Sequence, residues 1–400
     1  MEAKPKMPTA INKEEMSTSK GIPMSSLASP LSTNASAPAA KPVNVKIYSR
    51  LEEEISEAVK QEDSVRARVR TEVFPRLTER KSAPLGSGVY VASVEEIERV
   101  HRGLLFNGQV EACDGTSVPF DTLPLTILQI GVCLVSYRGD QGSWVHRLYR
   151  RDLRVSGLDP VEETLRVLEE RQKRSGYDDS SRRDKLSDLA RRGIMTFAER
   201  SVLMNKSQAM WRMGHGSPAP YELLTGSGMK ELLEKSLDLL EQLVAHKKFL
   251  FVPSSPVDRM ALTIGNALKP MEFAILDNLQ ENVNRLLEGH YRGEWAGLVE
   301  RVKSFAHDLA PRIIKGVFRA SKLAPAQMFY AHEEHAHQAA LIALADSVLQ
   351  EDRGFPMLID LADTLCRATF GRETVVGSTQ TAYAEAGEPF RYLTERQSRR

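Results

Sequence analysis

The chain has 400 residues, of which 42% are apolar and 27% charged, the make-up of a globular protein long enough for one large domain or two ordinary ones. A formal net charge of +1 removes any global pull towards nucleic acid or membrane, so such binding has to come from a local patch. Cys113, Cys133 and Cys366 are far apart and odd in number, which excludes a disulfide scaffold and a paired-cysteine zinc site and suits a reducing, cytoplasmic compartment.

Residues 1–44 are rich in Ser, Ala, Pro and Lys and poor in large apolar residues. Such a segment buries too little surface to offset its chain entropy, and it is expected to be a disordered tail. It has no Arg before Arg50 and carries Glu2, Glu14 and Glu15, which argues against a transit peptide. A charged helix is expected over 45–77, acidic early (Glu52, Glu53, Glu54, Glu57) and basic late (Arg66, Arg68, Arg70), an order that complements the helix dipole.

Three strands are expected next. The first covers 108–113 and ends at the turn dipeptide Asp114-Gly115. The second lies in the apolar run LPLTILQIGVCLVSY, which is too short and too β-branched for a membrane helix. The third covers 143–155 after the polar turn 138–142. Together they suggest an antiparallel meander. Helices are expected over 160–174, 184–211, 229–248, 271–287, 295–309 and 356–370. Strands are expected over 221–225, 249–252, 312–318 and 327–330. A meander followed by helices, then strands mixed with helices, is not the strict alternation of a Rossmann fold. It is the order of an α/β, ribonuclease H-like core, a mixed sheet with an antiparallel meander and helical insertions, filling residues 45–400 as one domain.

Asp114 stands at a strand end before the small residues Gly115, Thr116 and Ser117. That setting leaves room for a metal and a phosphate, and Mg²⁺ and Mn²⁺ prefer carboxylate oxygens. The plainer reading, an Asp that caps a turn, stays open beside it. Glu199 shares its helix face with Met195, Val202 and Leu203. A carboxylate among apolar neighbours is a site residue or the partner of an Arg. Asp360 and Asp363 fall opposite the apolar stripe of the last helix, the side open to solvent and the side any surface acid takes. The cluster His332, Glu333, Glu334, His335 and His337 lacks the spacing of a zincin and reads as a solvated or partner-facing surface. Thr225-Gly226-Ser227-Gly228 lacks the Lys and spacing of a P-loop and reads as a turn and cap. Basic residues gather from Arg147 to Arg192, a local patch of the kind that phosphate-backbone binding needs.

The stretch GQVEACDGTSVPFDTLPLTILQIGVCLVSY resembles the first strand, acidic "DG" motif and second strand of the NurA nuclease domain. FAERSVLM is similar to the helix bearing that family's second acid. RIIKGVFRAS is similar to a later strand, and GFPMLIDLADTLC to its closing helix. The resemblance implies a ribonuclease H-like, Mn²⁺- or Mg²⁺-dependent DNA nuclease of the 5′–3′ exonuclease and endonuclease class. It implies a homodimer acting in DNA end processing and repair with a HerA-type hexameric ATPase. Asp114 and Glu199 would be metal ligands, and Asp363 would take a place where the family usually carries His. The family's later-strand "DG" acid has its nearest equivalent in Thr225, which cannot replace a carboxylate. The competing expectation is therefore a catalytically inactive module that docks on DNA or on a partner ATPase.

Overall fold

The computed structural model describes residues 46–80, 83–122, 126–150, 188–255, 258–287, 296–393 and 395–398. The expected tail and the expected helix over 160–174 lie outside the described residues, as do Arg151, Arg154 and the basic positions 171–185. The chain divides after Lys60 into two units, a point that falls inside helix α1, Lys46–Arg68. In the first unit, Tyr48, Leu51, Ile55 and Val59 form an exposed apolar row at helical spacing. No helix among the described residues is long and apolar enough to cross a membrane.

The second unit is built on a nine-stranded mixed sheet. The strands are β1 (Gly88–Val91), β2 (Val110–Asp121), β3 (Thr126–Ser136), β4 (Gly139–Arg150), β5 (Trp211–His215), β6 (Phe249–Val252), β7 (Glu272–Asn278), β8 (Ile313–Arg319) and β9 (Gln327–His332). They lie in the order β1-β7-β8-β9-β6-β5-β2-β3-β4. β2, β3 and β4 form the expected antiparallel meander, and β5 and β6 continue it as parallel strands beside β2. Three antiparallel strands followed by two parallel ones are the ribonuclease H-like arrangement. β9, β8, β7 and β1 extend the sheet by antiparallel pairing on its other side.

Helices cover both faces. On one side α5 (Lys230–His246) lays Leu233, Leu237, Leu240 and Val244 against Phe249 and Phe251 of β6, the i, i+3, i+4 stripe of an amphipathic helix. On the other, α9 (Ala336–Ser347) is buried from Ala339 to Ser347, leaving His337 exposed near its start, and packs with Phe273, Phe329 and Leu358. Its buried run AALIALA carries only small and aliphatic side chains, which let it lie close to the sheet, and Ala is the best helix former. Helices α3 (Asp188–Lys206), α4 (Tyr221–Leu224) and α10 (Met357–Phe370) complete the part of the fold that matters below.

Several expectations are corrected. Asp114-Gly115 is no turn. β2 runs through it to Asp121, pairing with β3 from Ala112↔Val135 to Asp121↔Thr126, because a long ladder of backbone hydrogen bonds outweighs the local turn preference. The turn before β4 is the shorter Tyr137-Arg138, and Gly139 begins the strand with φ 118°. In place of a strand over 221–225, Tyr221–Leu224 is helical, with Pro220 as N-cap and Thr225 as C-cap. Residues 271–287 split into β7 and a short helix, Gln280–Leu287. The expected helix over 184–211 stops at Lys206 and leaves Trp211 to begin β5. His332 is fully buried rather than solvated, and its Nδ1 accepts from the Glu334 N–H.

Candidate active site

The centre of the sheet sets the site. Asp114 lies in β2, the strand that carries the meander on one side and parallel β5 on the other. The Cys113↔Gly214 pairing brings the next residues, Asp114 and His215, to the C-terminal side of adjacent strands. This crevice at the strand ends is where open α/β sheets bind ligands. His215 Nδ1 stands 3.5 Å from Asp114 Oδ1, and His215 Nε2 pairs with Ser254 Oγ at 3.0 Å. Asp114 beside it holds the imidazole's pKa above its ordinary value, against the opposing effect of burial.

Glu199 reaches the same place from α3. Gly115 makes this possible, because a Cβ there would stand 2.6 Å from Glu199 Oε1. The other carboxylate oxygen, Oε2, accepts from Arg200 Nη1 at 2.5 Å. Arg200 is itself buried. Its Nη2 donates to the His215 and Ser217 carbonyls at 3.0 and 2.7 Å, and its guanidinium lies 5.2 Å from the Phe251 ring. One side chain thus fastens α3 to the end of β5. Burial pushes the Glu199 pKa up to about 7; the Asp114 charge adds to the rise, while Arg200 and His215 oppose it.

Asp363 enters from α10, which packs on β2 and β3. Its Oδ1 pairs with Arg367 Nε at 2.8 Å. Burial first, and then the Asp114 charge, raise its pKa. α10 is positioned from its start by Asp346, whose Oδ2 accepts from the Leu358 N–H at 2.9 Å and whose Oδ1 takes the Tyr137 hydroxyl. Towards its end, Phe370 packs against Gly131 of β3, where a Cβ would meet the ring at 2.3 Å. Asp360 is paired with Arg353 and Gln350.

The structure therefore brings all three acids singled out in the sequence, Asp114, Glu199 and Asp363, to the lining of one cleft of about 450 Å³, together with His215, Ser254, Arg353 and Arg367. His215 is the residue that sequence reasoning missed. Its strand, WRMGH, is five residues long and follows directly on a strongly helical segment, so no alternation marks it. A Gly on each side of His215 is the available signal, and flanking glycines equally mark a turn. Thr225 is displaced from the role considered for it. It ends the short helix α4, its hydroxyl donating to the Tyr221 carbonyl, and the strand position next to Asp114 belongs to His215.

The donor set suits a hard or borderline dication, with three carboxylates and one imidazole facing one space. Asp114 destabilises the charge on both Glu199 and Asp363, a repulsion that a cation relieves. Among the described residues no three such side chains close tightly around one point.

No protein-family model matches the chain, and no curated protein matches it in sequence. Among solved structures, it is similar to the NurA nuclease from Sulfolobus solfataricus, at 9% identity over 84% of this chain and 98% of that one, with a TM-score of 0.43. It is also similar to NurA bound to dAMP and manganese, at 9% identity over 80% and 93%, with a TM-score of 0.41. Endonuclease V from Ciona intestinalis in complex with DNA aligns at 11% identity over 65% and 84%, with a TM-score of 0.27. These superpositions are loose, and the fold assignment rests on the strand order itself.

Proposed function

We propose that the protein is a divalent-metal-dependent DNA nuclease of NurA type, with Asp114, Glu199 and Asp363 as its site residues. The observation that carries this reading is the convergence of those three acids, from a central strand and two separate helices, on one cleft beside the first strand of a ribonuclease H-like sheet. Mn²⁺ or Mg²⁺ bound there would neutralise charge developing on a phosphate and lower the pKa of a bound water. Asp114 and Glu199 would hold it across Gly115, and Asp363 would join from α10. Arg367 is 72% exposed, so releasing Asp363 from it costs little. Arg200 is buried and grips only Oε2 of Glu199, leaving Oε1 over Gly115. Arg353 and Arg367 line the cleft and supply the donors a phosphate backbone needs.

The same reading includes action in DNA end processing and repair with a HerA-type hexameric ATPase, as a homodimer. The exposed row Tyr48, Leu51, Ile55 and Val59 is an apolar surface of the sort that self-association uses. A cytoplasmic location is supported by three cysteines that are all buried and unpaired in disulfides.

A second reading, a catalytically inactive module that binds DNA or the ATPase, is favoured by one observation. Glu199, Asp360 and Asp363 each have an arginine partner, Arg200, Arg353 and Arg367, so those acids are neutralised without a metal. Incubation with linear DNA and Mn²⁺, with and without the ATPase, decides between the two. The nuclease cleaves, and Asp114→Ala abolishes cleavage by roughly a thousandfold or more while DNA binding persists, since affinity comes from Arg and Lys. Wild-type protein that binds but never cleaves, under any dication, overturns the nuclease reading.

A further inference from the structure

We propose that His215 supplies a nitrogen donor to the cation beside Asp114, so that the cleft selects transition-metal dications over Mg²⁺. This deepens the nuclease reading and rests on it. The imidazole sits at the end of β5, and its Nδ1 faces Asp114 Oδ1 at 3.5 Å. That is longer than a well-formed hydrogen bond between such atoms. It is close to the spacing of neighbouring donors around one ion, roughly 3–3.5 Å when each donor lies about 2.1 Å from the metal.

The ring is also oriented as a ligand requires. His215 Nε2 pairs with Ser254 Oγ at 3.0 Å; in the tautomer that carries its proton on Nε2, and once a cation replaces any proton on Nδ1, the Nδ1 lone pair faces Asp114 and the cleft. A partner on the second ring nitrogen is the usual means of fixing a ligating imidazole. Phe355 stands edge-on to the ring at 6.1 Å between centroids, and Arg200 holds the His215 backbone carbonyl. Both the side chain and its strand end are therefore held in place.

The chemical consequence follows from donor type. Carboxylates and waters serve Mg²⁺ and Mn²⁺ alike, whereas imidazole suits transition metals, with affinity rising from Mn²⁺ towards Co²⁺ and Ni²⁺. An Asp at position 215 would make the set all-oxygen. A His there trades affinity for Mg²⁺ against affinity for borderline ions.

The test is calorimetric titration of the full-length protein with Mn²⁺, Co²⁺ and Mg²⁺ separately, together with the visible absorption of the Co²⁺ complex. Wild type binds Co²⁺ at least tenfold more tightly than Mg²⁺. H215D reduces that ratio about tenfold, chiefly by weakening Co²⁺, and changes the Co²⁺ spectrum. Ser254→Ala weakens Co²⁺ and leaves Mg²⁺ unchanged, and it decides the matter alone if H215D fails to fold by circular dichroism. A Co²⁺ to Mg²⁺ ratio that neither variant moves, or a wild type that binds no Co²⁺, overturns the proposal. Cleavage that runs equally well in Mg²⁺ and Mn²⁺, with the ratio unmoved, leaves the nuclease reading standing and removes this one. The expected ratios without any DNA cleavage do the reverse.

Discussion

Glu199 lies over Gly115, so close that a methyl group on the glycine would stand 2.6 Å from Glu199 Oε1. Gly115 has an ordinary strand backbone, absent from the positive-φ positions, so its missing side chain serves space rather than conformation. Gly115→Ala should therefore act through Glu199 alone. It is expected to cost about 1–3 kcal/mol by overpacking and to lower nuclease activity as strongly as a direct change at Glu199. Gly103→Ala is the control, since a Cβ there meets nothing within 4 Å. Denaturant melts and a DNA cleavage assay read both effects; a fully active Gly115→Ala would separate Glu199 from the site.

Arg200 compensates a buried carboxylate, and its removal should show a pH signature. Arg200→Met leaves Glu199 without its cation, a change that typically costs 3–5 kcal/mol for a buried pair. The Glu199 pKa is already raised to about 7, mainly by burial, and Arg200 opposes that rise. Without Arg200 it climbs further. A carboxyl whose folded pKa is raised loses stability as pH rises above its unfolded value. The lost bonds to the His215 and Ser217 carbonyls set a pH-independent part of the gap between variant and wild type; the Glu199 part should be absent near pH 5, where Glu199 is protonated in both, so the gap should widen as pH passes 7. Chemical denaturation at pH 5 and pH 8 measures it, and equal gaps at the two pH values would mean that Glu199 is not the group involved.

Asp346 offers a second linkage test away from the cleft. It is fully buried between Tyr137 and the Leu358 N–H, and burial pushes its pKa up to about 6. Its contribution is present below the ordinary aspartate range and is lost as pH climbs from about 4 to 6. Asp346→Asn removes that titration while keeping an acceptor for the Leu358 N–H. Relative to wild type, the variant should gain about 2 kcal/mol between pH 4 and pH 7, most of the roughly two pKa units that separate the folded and unfolded carboxyl. Parallel stability curves for the two proteins across that range would contradict the assignment.

Thr225 should be dispensable for chemistry. Its hydroxyl bonds to the Tyr221 carbonyl inside a short helix, and the strand beside Asp114 ends at His215 instead. Thr225→Ala is expected to change stability by no more than about 1 kcal/mol and to leave cleavage within twofold of wild type. A large loss of cleavage in a folded Thr225→Ala protein would restore the role first considered for it.

What the sequence determined by itself was local or strongly patterned. The run TILQIGVCLVS reads as a buried strand and residues 229–248 as a strongly periodic helix; Glu199 stands among apolar neighbours and Asp114 before small residues at a strand end, while Asp363 lies where any surface acid lies and is marked only by the resemblance to the NurA domain. The tertiary structure decided what depends on partners distant in the chain. Asp114-Gly115 carries the residues of a turn, yet ten ladder pairings with β3 hold it extended. Glu272–Asn278 has no alternation to mark it as a strand, because burial on both faces removes the polar half of the pattern. His215 gained its place from Gly214 pairing with Cys113, about a hundred positions earlier in the chain. A titratable side chain acquires chemistry only from its neighbours, and here the sheet register chose them.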